Sequence, residues 1–281
     1  MRFPSLVKHH VSRLRSGQWT EQDDQVAAEE PMETRLVWEE DGRVARKSIA
    51  VTMRTPGDDF QLAAGFLHGE AIVRSVDDVV DISYCLEGEE PQELNIVSVT
   101  LRPGLRFDAS RLERNFYTTS SCGVCGKAAM ESLEIVGCDA LASTGFRVGS
   151  ALLRDLPRRL REAQETFSRT GGLHAAGLFD GDGRALGLRE DVGRHNALDK
   201  LIGSCFMENR LPLEDRVLLL SGRASFELVQ KALVARIPVV AAVGAPSSLA
   251  VEVAEAFNIT LVGFLGPEGF NVYTAPERIE R

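Results

Sequence analysis

The sequence predicts an α/β protein in two parts, a smaller α+β unit in the N-terminal half and a larger layered α/β unit behind it. Three observations carry this expectation. The 281 residues exceed one average domain, and their 44% hydrophobic content suffices for packed cores. Up to about residue 115, strand-like alternation dominates around a single helical stretch. Beyond it, short apolar runs alternate with helical ones, the rhythm of parallel strands covered on both faces.

Residues 1–31 are polar, basic at first and acidic after Glu21, with no sustained period, and are expected to form a loosely ordered extension. Thr34 to Trp38 and Arg43 to Met53 alternate as strands, and Asp41-Gly42 between them reads as a hairpin turn. Pro56-Gly57 breaks the second strand. Asp58 is placed to cap a helix in which Leu62, Ala63, Phe66 and Leu67 recur at helical spacing. Val79 to Tyr84 and Ile96 to Leu101 close a unit spanning residues 32–115.

Residues 116–281 form the second unit. A charged helix around Leu153 to Phe167 precedes strands at His174 to Phe179 and Ala185 to Arg189, joined by Asp180-Gly181-Asp182-Gly183. The apolar runs Val217 to Leu220, Val239 to Val243 and Thr260 to Phe264 are separated by helices at Ser225 to Ala235 and Ser247 to Phe257.

A net charge of −9 argues against nucleic acid as a partner, and no apolar run is long enough to span a bilayer. The five cysteines form an odd set in a chain that needs no disulfide staples, which suits a reducing compartment. Cys85, Cys138 and Cys205 read as small buried hydrophobes.

Cys122-Gly123-Val124-Cys125 is different. Ala129, Met130, Leu133 and Val136 follow it at helical spacing, so both thiols fall at a helix start, where free N–H groups, the dipole and Lys127 favour a thiolate. Structural zinc lacks a second ligand pair. His68-Gly69-Glu70 with the later Cys-x-x-Cys matches a zinc deaminase signature, but Ser121 stands where Pro is expected and His68 lies in an apolar helical rhythm. A thioredoxin-like redox site would need a strand before the cysteines, and Arg111 to Tyr117 is charged. Nucleophilic sulfur chemistry is the better candidate.

Ser221-Gly222-Arg223-Ala224-Ser225 and Gly244-Ala245-Pro246-Ser247-Ser248 each follow an apolar strand and open a helix, positions that bind anions or simply cap. Gly263 to Gly269 reads as a flexible, backbone-rich loop. Asp191 is placed to cap the helix after Glu190-Asp191-Val192-Gly193-Arg194-His195-Asn196, while His195 and His174 are each as readily structural as catalytic.

The cysteine turn, Gly172-Leu173-His174-Ala175-Ala176, the run from Glu190 to Lys200 and Asn271-Val272-Tyr273 together resemble the formate dehydrogenase accessory sulfurtransferase family, FdhD, from about Ala50 onward. The resemblance implies a cytidine deaminase-like α/β/α second domain without intrinsic metal. It implies a cytoplasmic sulfurtransferase that takes sulfur from a cysteine desulfurase. The sulfur passes to the substrate Mo-bis(molybdopterin guanine dinucleotide) before that cofactor enters formate dehydrogenase. By the same resemblance Cys122 bears the persulfide, Cys125 is its partner, and Phe264, Leu265, Gly266, Pro267, Glu268 and Gly269 form the cofactor-binding loop. That loop usually carries a basic residue, and here it has none, which shifts phosphate contacts toward Arg223 and backbone N–H groups. A homodimer is expected, because a two-part ligand suits a two-fold assembly. The alternatives are a zinc-dependent deaminase-like hydrolase and a non-enzymatic cofactor chaperone.

Overall fold

The structure is a computed structural model that describes residues 5–40, 42–85, 94–105, 107, 138–142 and 145–281. Cys122, Cys125 and Lys127 lie outside the described residues.

The chain opens with β1 (Leu6–Arg15) and β2 (Gln18–Ala27), an antiparallel hairpin in register from Leu6↔Ala27 to Arg15↔Gln18. The expected loose extension over residues 1–31 is therefore corrected across most of its length. Both faces of the ribbon are largely exposed, so no hydrophobic period marks it. Cross-strand polar pairs support it instead: Arg13 donates to Asp24 at 3.0 Å and Ser12 to Glu21 at 2.7 Å.

β3 (Glu30–Glu40), β4 (Arg43–Arg54), β5 (Val79–Tyr84) and β6 (Ile96–Leu101) form a sheet of order β4-β3-β6-β5, with β3 and β6 parallel and the other pairs antiparallel. Its inner side chains, Met32, Leu36, Ile49, Val97 and Val99, bury against Leu62, Ala63 and Leu67 of helix α1 (Asp59–Gly69). Asp58 occupies the N-cap position with φ 55°, but its side chain caps nothing and reaches Arg189 at 3.4 Å instead. Asp59 organises this corner: it accepts two hydrogen bonds from the fully buried Arg54, at 3.1 and 3.0 Å, and a third from the Tyr84 hydroxyl at 3.2 Å.

The rest of the chain runs β7 (Val148–Gly149), α2 (Ser150–Ala163), α3 (Glu165–Thr170), β8 (His174–Phe179), β9 (Ala185–Asp191), α4 (Arg194–Met207), β10 (Val217–Leu220), α5 (Phe226–Val234), β11 (Val239–Ala242), α6 (Ser248–Ala256), β12 (Thr260–Gly266), β13 (Gly269–Thr274) and β14 (Ile279–Glu280). Six strands make one sheet of order β13-β12-β11-β10-β8-β9, in which β10, β11 and β12 are parallel. Successive residues of a strand face opposite ways. Thus Ala176, Leu178, Leu218, Leu220 and Val240 pack on α4, α5 and α6, while Phe179, Val217, Leu219 and Val239 pack on Leu153, Leu156 and Leu160 of α2. Three layers result.

Two expectations change in this half. β13 extends the sheet beyond β12, and Gly263 to Gly269 is no flexible loop: Gly266 pairs with Gly269 around a Pro267-Glu268 turn. Of the three cysteines expected in the core, Cys205 is buried whereas Cys85 and Cys138 are half-buried, free thiols. Cys85 accepts a hydrogen bond from Arg35 at 3.5 Å.

The two halves are joined through α1 and α4. A Cβ on Gly65 would lie 1.9 Å from Asp199 O, and one on Gly203 would lie 1.8 Å from Gln61 O. Only glycine lets the helix backbones approach this closely.

Candidate functional site

The C-terminal ends of β10 and β11 carry the two turns that the sequence marks as anion sites. Backbone bonds lace them side by side: Gly244 N donates to Gly222 O at 2.9 Å, Ala224 N to Ala245 O at 3.2 Å and Ser247 N to Ala224 O at 3.0 Å. Ser247 caps α6 by accepting from Ala250 N at 3.3 Å. Ser225 sits at the N-cap of α5 yet makes no capping bond. Its hydroxyl is directed elsewhere.

These turns form one wall of a cleft of about 800 Å³ between the two halves of the chain. The opposite wall is Thr34, Ala50, Thr52 and Phe66 from the small sheet and α1, and the start of α4 contributes Arg194 and His195. Open α/β sheets bind ligands at the carboxyl ends of parallel strands, and this cleft occupies that position.

The charges there are unevenly satisfied. Lys231 is buried 2.8 Å from Asp199; burial alone would push it down, but Asp199 and Glu70 outweigh burial and hold its ammonium above the ordinary lysine range. Arg194 and Arg223 have no ion-pair partner among the described residues, and the buried Nε of Arg194 has no hydrogen-bond partner among them. Two unpaired guanidiniums beside backbone-rich turns suit a polyanion, since guanidinium binds phosphate in two-point geometry.

His195 Nε2 faces Glu227 Oε2 at 3.0 Å and Ser225 Oγ at 3.3 Å, and the Ser225 hydroxyl donates to the same Glu227 oxygen at 3.1 Å. The hydrogen bond from His195 holds the Glu227 carboxyl down to about 2. His174, at the start of β8, is half-buried, and burial followed by the neighbouring Arg194 pushes it below the usual histidine range.

The run from Glu190 to Lys200 divides into two faces. Lys200 pairs with Asp191 at 2.7 Å with both side chains buried, and donates to Thr55 O at 2.7 Å. Asp191 also accepts from Thr55 N at 3.1 Å, Gly193 N at 2.9 Å and Asn196 Nδ2 at 2.8 Å. Asn196 donates onward to Met53 O at 2.8 Å. This face is a latch between the halves, and Asp191, expected as a helix cap, is its centre.

Other expected residues fall as follows. Phe264 is 54% exposed with φ 54°, and its N–H donates to Gly244 O at 3.1 Å, so the Phe264 to Gly269 hairpin abuts the cleft-forming turn without lining the cleft. His68 is buried in α1, its Nδ1 3.3 Å from Val73 O, and burial pushes it down; Glu70, its partner in the deaminase signature, lines the cleft. Both cysteines of the Cys-x-x-Cys turn lie outside the described residues. Sequence reasoning missed Glu227 and Lys231, which ordinary helix spacing disguises, and gave Arg194 no role of its own, although the polar run around it was a signal.

Comparison with known proteins places the chain. The model of the FdhD/NarQ family matches residues 37–280. The sulfur carrier protein FdhD of Streptomyces coelicolor is 50% identical over 97% of this chain and 95% of its own length. That of Sulfolobus acidocaldarius is 40% identical over 98% and 99%. Among solved structures, one described as a formate dehydrogenase accessory protein from Desulfotalea psychrophila superposes with a TM-score of 0.73, at 26% identity, over 99% of this chain and 100% of that one. Sequence and architecture agree, and the chain belongs to the FdhD/NarQ family.

Proposed function

We propose that the protein is a sulfur carrier serving formate dehydrogenase maturation. A Cys122 thiolate attacks the sulfane sulfur of a cysteine desulfurase persulfide, takes that sulfur and releases the donor's thiolate. Cys125 assists its onward exchange. The acceptor is Mo-bis(molybdopterin guanine dinucleotide), whose phosphates suit the cleft around Arg194 and Arg223 and whose remainder reaches the Phe264 to Gly269 hairpin. When bound, that substrate would supply the metal centre that accepts the sulfane sulfur together with the two electrons that bring it to the sulfide level, leaving Cys122 as its thiolate; the chain's part is to hold the phosphates and present the thiols.

The observation that carries this reading is the cleft itself, with two unpaired guanidiniums at the ends of parallel strands in a chain whose relatives are named sulfur carriers. The three-layer half supports the cytidine deaminase-like description of residues 116–281. We read the protein as cytoplasmic and homodimeric. Among the described residues no helix is long and apolar enough to cross a membrane.

Intact mass after incubation with a cysteine desulfurase and cysteine tests the chemistry. One added sulfur is expected on the wild type and none on Cys122→Ala. A Cys122→Ala protein that still carried transferable sulfur and restored formate dehydrogenase activity would sink the assignment.

A further inference from the structure

Three features of the His195 cluster go together. A single ring nitrogen, Nε2, faces both Glu227 and Ser225, and Nδ1 has no hydrogen-bond partner among the described residues. Ser225 leaves its helix uncapped and gives its hydroxyl to Glu227. The ring lines the same cleft as the unpaired Arg194 and Arg223. A carboxylate only accepts, so Nε2 carries the hydrogen and donates it to Glu227. Nδ1 is then the position at which a proton comes and goes.

We infer that His195 is a proton-exchanging residue of the cleft, fixed by Glu227 and Ser225 as positioning residues, and that an entering phosphate dianion draws a proton from solvent onto Nδ1. This rests on the reading of the cleft as a phosphate site. The groups around the ring set the sign. Arg194 beside it on α4 and Arg223 on the β10–α5 turn oppose a further positive charge before a ligand binds, while His174 on β8, pushed below the usual histidine range, adds none. Glu227 favours that charge; beneath, Lys231 and Asp199 offset each other as an ion pair, and Glu70 beside them adds a further carboxylate that also favours it. A dianion cancels the two guanidiniums, and the carboxylates around the ring then favour an imidazolium unopposed. By linkage, a ligand that promotes protonation is itself bound more tightly by the protonated form.

The full-length protein tests this with inorganic pyrophosphate as the probe, titrated calorimetrically between about pH 6 and pH 8, the range in which histidine exchanges its proton. In two buffers of different ionisation enthalpy, wild type should take up more protons per ligand than His195→Gln; their difference removes the probe's own titration. Over that range wild-type affinity should fall with rising pH roughly fivefold more than that of His195→Gln. Nitrogen-15 shifts of the free protein should show Nε2 protonated and Nδ1 bare, and Glu227→Gln should lose that fixed tautomer. Equal proton uptake in wild type and His195→Gln, or a free His195 protonated at Nδ1, overturns the inference and leaves the phosphate site standing. Failure of wild type to bind pyrophosphate overturns the phosphate site and the inference with it.

Discussion

The latch and the cleft share one short stretch of chain and satisfy it oppositely. On the latch side, Asp191, Asn196 and Lys200 are buried, and the bonds that partner them measure 2.7–3.1 Å. On the cleft side, Arg194 and His195 keep donors and acceptors that nothing among the described residues uses. The difference teaches that a run of unusual polar residues is not one site. Burial decides which members are scaffold, and lack of a partner decides which are available to a ligand.

The strongest way to break the comparison is to force the halves apart. Gly203→Val places side-chain carbon against Gln61 O, where a Cβ already lies at 1.8 Å. Urea unfolding should show a loss of at least about 3 kcal/mol, or no folded protein, because backbone cannot give way as a side chain can. Next comes the latch. Lys200→Met strands the buried Asp191 carboxylate, and about 3–5 kcal/mol should be lost in the same assay. The pair Asp191→Asn with Lys200→Met should cost less than the single change, and a single-change loss below about 1 kcal/mol would remove the latch from the account.

Smaller effects sharpen it. Tyr84→Phe deletes one hydrogen bond to Asp59 and should cost about 1 kcal/mol. Burial, then the Asp59 charge, pushes Tyr84 up to about 12. A raised folded value favours the protonated form, so the stability it confers is present below the unfolded tyrosine value of about 10 and is lost as pH climbs toward the folded one. Thermal unfolding of Tyr84→Phe should be flatter across that alkaline window. Smallest is Glu227→Gln on the cleft side. Glu227 is held down to about 2, so its contribution is present above the ordinary glutamate value near 4.5 and disappears as pH falls toward 2. Melting temperature should drop slightly near neutral pH and match the wild type near pH 2, so the acid limb of the wild type should be the steeper one.

How much of this was legible in the sequence follows from the range of the forces involved. β5, β6, β8 and the three parallel strands declare themselves through apolar patterning within a few residues. β1 and β2 do not, because an exposed ribbon buries no face. The turns that line the cleft were legible as strand-to-helix junctions, and Arg223 stands in the cleft. Asp191 was not legible as a latch, since its partner Thr55 lies 136 positions away. The His195–Glu227 contact was hidden for the same reason, joining the start of one helix to the first turn of another.

The glycine contact between α1 and α4 has a consequence for whatever occupies the cleft. Its two jaws are cast together at the hinge, peptide against peptide, so the opening is gauged by main chain and not by rotamers that soften on warming. Heating should therefore leave the width of the mouth unaltered until the helices themselves part.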